Sequence, residues 1–232
     1  MNKGIERVPD IARASLLRLV LATLLGATLL SACMQKGGAG ATPVAAQRPN
    51  ILFILADDLG YADIGIFGGE IPTPNIDELA RKGLLLTDFY AGMTCSPTRS
   101  MLMSGTDNHL AGLGVMGAPT REDQKGKPGY EGYLNFRVAS LADLMTDAGY
   151  NTYMVGKWHV TPLSESGPTG PFDGWPLGRG YHRFYGFMDA ETDQYAPELV
   201  RDNTPVAPPG GWDSGYHLTA DLVDESIRYL GD

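Results

Sequence analysis

An unbroken apolar run, Asn50-Ile-Leu-Phe-Ile-Leu-Ala56, ends directly on the pair Asp57-Asp58. A half-exposed strand alternates apolar and polar residues; a run without alternation reads as a strand buried on both faces of a parallel sheet. Parallel strands need crossover helices, and the segments that follow supply them. Thr73 as N-cap and Pro74 at the first helical position open a helix whose buried stripe is Ile76, Leu79 and Ala80, ended by Gly83. Leu84 to Phe89 reads as a second strand. Ser96 to Ser104 reads as a short helix with Met101 and Leu102 facing inwards. Ser140 caps a helix over Leu141 to Ala148, Gly149 stops it, and Asn151 to Val155 forms a third strand. A last amphipathic helix starts at Thr219 and carries Leu222, Val223, Ile227 and Leu230. The rhythm predicts an α/β fold, a mostly parallel sheet flanked by helices. With 30 glycines and 16 prolines, the chain favours a loop-rich α/β protein over a helical bundle. The densest Gly/Pro stretches, Arg121 to Tyr133 and Thr161 to Trp212, are expected to be long loops of the kind that shape substrate pockets.

Before this body comes a different kind of sequence. Lys3, Arg7, Arg13 and Arg18 outweigh Glu6 and Asp10, and the apolar run Leu19 to Leu30 follows. It is short for a bilayer-spanning helix but has the length of a signal-peptide core. It ends in Leu30-Ser31-Ala32-Cys33, which resembles a bacterial lipobox, with Cys33 as the lipidated residue. Residues 1–32 are therefore expected to be a lipoprotein-type signal peptide, and 33–47, rich in Ala and Gly, a flexible tether. Residues 48–232 form the folded part. This predicts an exported bacterial lipoprotein, periplasmic or anchored to the outer membrane through Cys33. An ordinary cleaved signal or a short uncleaved anchor are the alternatives. The chain's net charge is −9, and it becomes −11 once residues 1–32, with four basic and two acidic side chains, are set aside. Such a balance argues against a nucleic-acid partner, which requires a basic face. Two cysteines cannot staple a miniprotein. If Cys33 carries lipid, Cys95 is the one thiol left.

Three clusters carry chemistry. Asp57-Asp58, at the carboxyl end of the first strand, is where ligands of open α/β sheets gather, and adjacent carboxylates suit a hard divalent cation. A strand-ending turn explains the same pair. Cys95-Ser-Pro-Thr-Arg99 places a cysteine at a helix start, where peptide dipoles favour an anion. Arg99, four residues on, lies one turn up the same face. A buried structural cysteine is the plain alternative. In Gly156-Lys-Trp-His159, strand alternation sets Lys157 and His159 on one face and Trp158 on the other. A cation beside a titratable imidazole suits an anionic substrate and proton transfer; a solvated lysine and a hydrogen-bonded histidine are the alternative. Tyr61, Tyr130 and Trp212 are read as packing residues rather than an aromatic pocket.

Together these features resemble the formylglycine-dependent sulfatases, and most closely the bacterial arylsulfatases, of the alkaline-phosphatase-like fold. The matching segments are Arg48-Pro-Asn-Ile-Leu-Phe with Ala56-Asp-Asp-Leu-Gly60, Thr73-Pro-Asn-Ile-Asp77, Cys95-Ser-Pro-Thr-Arg-Ser100 with Thr94, Gly105 and Thr106, and Gly156-Lys-Trp-His159. Asp63-Ile-Gly and Phe67-Gly-Gly-Glu add to them, and the likeness thins after Pro162. The resemblance implies that Cys95 is converted to formylglycine by a sulfatase-maturing enzyme. One hydroxyl of its hydrated aldehyde would attack the sulfur of a sulfate monoester and expel the alcohol, and the second would then collapse to the aldehyde and release sulfate. It further implies that Asp57, Asp58 and residue 95 ligate calcium, that Arg99 holds the diol, that Lys157 contacts the sulfate and that His159 acts as base.

Sulfatases of this family are about twice this length or more, and the resemblance therefore implies the N-terminal portion of a catalytic domain, truncated on its C-terminal side. With so few ligands calcium would be under-coordinated, and this chain alone is expected to turn over little or nothing. Two rivals stand beside this reading: a phosphonate or phosphate monoester hydrolase of the same superfamily, and a non-catalytic, surface-tethered remnant.

Overall fold

The structure, a computed structural model, describes residues 48–117 and 121–231. The signal peptide, Cys33 and the tether expected over residues 1–47 lie outside them. Residues 48–55 belong to a first unit and residues 56–231 to a second. The first has no helix or strand in its described part, and its apolar side chains are exposed. The strand expected over Asn50–Ala56 is thus absent: an apolar run becomes a strand only when neighbouring strands take its backbone hydrogen bonds. The same holds for Leu84–Phe89, which is extended and exposed, Leu84 at 85%.

In the second unit the described helices are α1 (Pro74–Lys82), α2 (Cys95–Ser104), α3 (Leu141–Asp147) and α4 (Leu218–Leu230). The strands are β1 (Tyr153–Lys157), β2 (Arg183–Phe187), β3 (Leu199–Arg201) and β4 (Thr204–Val206), paired in that order. Among the described strands only β1 and β2 run parallel; β2–β3 and β3–β4 are antiparallel, so the described sheet is mixed rather than mostly parallel. The last three strands lie inside Thr161–Trp212, whose glycines and prolines had masked them. None of the described helices is long and apolar enough to cross a membrane.

Local chemistry explains the helix ends. Ser140 accepts from the Asp143 amide and Asp143 accepts from the Ser140 amide, a reciprocal capping box. Gly105 ends α2 in the left-handed region, φ 64°. At α1, Pro74 sits in the first turn, and Thr73 donates to Asp77 and accepts from the Gly65 amide. The α1 stripe is not buried: Leu79 is 69% exposed. In α2 the buried apolar residue is Met103, with Met101 and Leu102 half-buried.

Alternation along β2 divides the core. Phe184 joins Trp158, Trp175, Leu113 and Leu134 in one cluster, and Tyr185 joins Leu199, Tyr216, Leu218 and Tyr229 in the other. β1 and β2 meet at Gly156 and Gly186. A Cβ on Gly186 would stand 1.9 Å from the Gly156 carbonyl oxygen, so the strands approach too closely for any side chain there. That contact sets the height of Lys157, the next residue.

α4 starts one residue before Thr219, capped by the His217 side chain, which accepts from the Thr219 amide. Its Val223, Ile227 and Leu230 are exposed, whereas Leu218, Glu225 and Tyr229 are buried. Burial opposes ionisation of Glu225, yet hydrogen bonds and charge from Arg228 and Arg201 hold its carboxyl down to about 2. The folded value lies below the ordinary 4.5. The ion cluster therefore stabilises the fold above about pH 4.5 and loses that contribution as pH falls towards 2. Glu225→Gln is expected to cost about 1–2 kcal/mol at pH 7 in urea unfolding, a figure kept low because both arginines are partly exposed. The difference from the parent should shrink at pH 3.

Candidate active site

α2 and the end of β1 converge on Cys95. The backbone of Thr94 is extended (φ −146°, ψ 166°), which makes Cys95 the first residue of the helix. Arg99, one turn on and buried, donates from Nη1 to the Lys157 carbonyl oxygen at 2.6 Å, tying α2 to β1. Its Nη2 lies 3.6 Å from Asp57 Oδ1. Lys157 Nζ donates to Asp57 Oδ2 at 2.9 Å. The lysine side chain is 7% exposed and that of Asp57 45%, so the ammonium sits beneath a carboxylate that faces solvent.

β1 ends at Lys157, but its ladder continues: the Trp158 and His159 amides donate to the carbonyls of Phe187 and Met188. His159 takes φ 55°, an uncommon value for a residue with a side chain. This turns the imidazole so that Nδ1 lies 3.2 Å from Cys95 Sγ. Trp158 points into the core. Its indole Nε1 donates to Thr161 Oγ1 and to the Gly174 carbonyl oxygen, and its ring stands edge-on to Tyr181. Lys157 and His159 share a side opposite Trp158 as alternation suggests, though a left-handed residue rather than a continued strand delivers the histidine.

The electrostatics follow from this packing. Burial pulls His159 below its ordinary value, and the nearby Lys157 charge adds to it, so the imidazole is neutral at pH 7. Burial works against the charge of Asp57, but Lys157 and then Arg99 outweigh it and hold the carboxyl below the usual range. Burial lowers Arg99, against the pull of Asp57; an arginine so shifted is still a cation. Two cations face one carboxylate, a local positive field in a chain of net negative charge.

Of the sequence-predicted residues, Asp57, Cys95, Arg99, Lys157 and His159 come together. Asp58 does not join those contacts; it is exposed with φ 53°. Among the described residues no three His, Cys, Asp or Glu side chains cluster as metal ligands, and both Asp57 oxygens already face cations. Two carboxylates and residue 95 fall short of the six to eight oxygens calcium takes. These residues by themselves do not make a calcium site.

One neighbour of Cys95 had no signal in the sequence. Met116, 21 residues away in a Gly-rich loop, places Sδ 3.5 Å from Cys95 Sγ. Beside it, the Gly117 amide donates to the fully buried Ser96 hydroxyl.

Residues 49–232 match the family described as Sulfatase. An uncharacterized sulfatase of Schizosaccharomyces pombe is 47% identical over 167 residues, covering 70% of this chain and 28% of its own length. The arylsulfatase of Klebsiella aerogenes is 41% identical over 156 residues, covering 67% of this chain and 32% of its own length. Among solved structures, the crystal structure of Ps i-CgsB superposes with a TM-score of 0.64 at 28% identity, over 80% of this chain and 42% of that one. The chain thus spans about a third of the length of these curated relatives. Its mixed sheet and flanking helices are part of the alkaline-phosphatase-like fold. The chain belongs to the sulfatase family.

Proposed function

We propose that the chain carries the nucleophilic part of a sulfate monoester hydrolase of arylsulfatase type, with residue 95 matured from cysteine to formylglycine. The observation that carries this reading is the 3.2 Å approach of His159 Nδ1 to Cys95 Sγ, beside the buried cations Arg99 and Lys157. When present, the matured group supplies a hydrated aldehyde whose hydroxyl is the nucleophile towards sulfur. The protein's own residues do the rest. Neutral His159 takes the proton of the hydroxyl it faces. Lys157 contacts the sulfate and Arg99 holds the diol, and the two together concentrate positive charge where negative charge grows. Asp57 holds both cations in place until the anion arrives. Asp57, Asp58 and residue 95 would supply only part of calcium's coordination, and Asp57 would have to turn from Lys157 and Arg99 towards the ion. Exposed apolar segments such as Leu84–Phe89 support the reading that further polypeptide of the domain packs on them.

The test is mass spectrometry of the peptide containing residue 95 after co-production with a formylglycine-generating enzyme. An aldehyde is expected; an intact thiol throughout overturns the proposal. Lys157→Ala is expected to weaken inorganic sulfate binding at least about ten-fold in calorimetry, as loss of a charge-assisted contact should. Lys82→Ala, on the exposed end of α1 against Glu78, should leave it unchanged. Equal effects would mean that the cluster is not the anion site. Export and lipidation at Cys33 remain part of the proposal. Labelling with radioactive palmitate should appear in the parent and vanish in Cys33→Ser.

A further inference from the structure

Met116 is the neighbour of Cys95 that the proposed chemistry leaves without a task. Its thioether lies 3.5 Å from Sγ, and the residue is 53% exposed. A methionine on a free loop would swing away, but this loop is held on both sides. On one, the Gly117 amide donates to Ser96 Oγ at 3.2 Å, and Ser96 is fully buried in the first turn of α2. On the other, the Gly114 amide donates to the Gly129 carbonyl oxygen at 2.8 Å. A Cβ on Gly114 would stand 2.6 Å from that same oxygen, so the backbones are pressed together there. The sulfur is therefore kept over the start of the helix, beside the atom that reacts.

His159 Nδ1 stands 3.2 Å from Sγ, and the charges of Arg99, Lys157 and their shared Asp57 lie close to that imidazole. An ester divides itself between such surroundings. Its sulfate belongs with the cations, and the alcohol that leaves must lie against what remains. We infer that Met116 is a specificity-determining residue that touches the leaving alcohol and selects a flat, apolar alcohol over a hydroxylated sugar. The thioether is polarizable and adaptable, and sulfur–aromatic contacts are favourable at about 5 Å. A sugar in the same place would set hydroxyls against sulfur, a weak acceptor, and leave hydrogen bonds unmade.

The inference rests on the proposed function, and its test reads binding rather than turnover. The full chain, with residue 95 kept as thiol and methionine methyls and lysine and arginine side chains labelled with carbon-13, is titrated with phenyl sulfate, inorganic sulfate and glucose 6-sulfate. The Met116 signal is assigned by its disappearance in Met116→Leu. Phenyl sulfate is expected to move that signal saturably, whereas the other two ligands perturb Lys157 and Arg99 alone. Met116→Ser should weaken phenyl sulfate about two- to ten-fold, the size of a sulfur–aromatic contact, and leave inorganic sulfate unchanged. Met116→Leu, which keeps an apolar contact, should recover most of the loss. The inference is overturned if phenyl sulfate perturbs Lys157 and Arg99 without moving the Met116 methyl, or if Met116→Ser weakens both sulfates alike. In either case the proposed function stands. If no ligand perturbs Lys157 or Arg99, the anion site and this inference fall together.

Discussion

In the complete catalytic domain to which the proposed function assigns this segment, Cys95→Ala is expected to lower sulfate ester hydrolysis about 10⁴-fold or more, the scale on which removal of a nucleophile acts. It should change folding stability by less than about 0.5 kcal/mol. The two expectations separate because of what Sγ touches. Its polar contacts are His159 Nδ1 and Met116 Sδ, and neither supports the backbone of α2. The helix start is held by neighbours instead: Thr98 Oγ1 donates to the Thr94 carbonyl, and Arg99 donates to that of Lys157. The cation pair on Asp57 survives the substitution, so sulfate binding should survive as well. Rates with an aryl sulfate, together with urea unfolding of both proteins, check this. A variant that keeps a tenth of the parent rate would remove residue 95 from the chemistry.

Trp158→Ala is expected to cost about 3–5 kcal/mol, the range for deleting a buried aromatic side chain. Trp158 is fully buried, and its Nε1 holds Thr161 Oγ1 at 2.7 Å and the Gly174 carbonyl oxygen at 3.1 Å. Removing the ring opens a cavity, takes one donor away from a Thr161–Gly174 pair that keeps its own hydrogen bond, and releases the backbone between Lys157 and His159. Sulfate binding should weaken along with stability, although the indole belongs to the core and not to the charged cluster. Trp212, 69% exposed, provides the contrast: Trp212→Ala is expected to change stability by less than about 0.5 kcal/mol. Urea denaturation of the three proteins decides it, and a loss below about 1 kcal/mol for Trp158→Ala would contradict the packing described.

Local signals were legible in the chain. The Ser140 cap, Pro74 in the first turn of α1, Gly83 at its end and the one-turn spacing of Cys95 and Arg99 all depend on atoms a few residues apart. Hydrogen bonds and steric limits at that range act alike whatever surrounds them. The run Asn50–Ala56 states a demand for burial, but demand does not make a strand without a partner to pair with. Nor did the chain disclose β2, β3 and β4, whose Gly/Pro-rich setting reads as loop, or that α4 buries the side carrying Glu225 rather than the one carrying Val223, Ile227 and Leu230.

The site divides in the same way. Motif and spacing singled out Cys95, Arg99, Lys157, His159 and Asp57 as residue types suited to one chemistry. That Asp57 meets Lys157 across 100 positions, that His159 turns through φ 55° onto Cys95 and that Met116 overhangs the same sulfur were decided by tertiary structure alone. Contacts between distant segments depend on which apolar faces bury each other, here the close passage of Gly156 against Gly186 and the packing of Trp158. No window of sequence contains that competition, because its energy belongs to the folded chain as a whole.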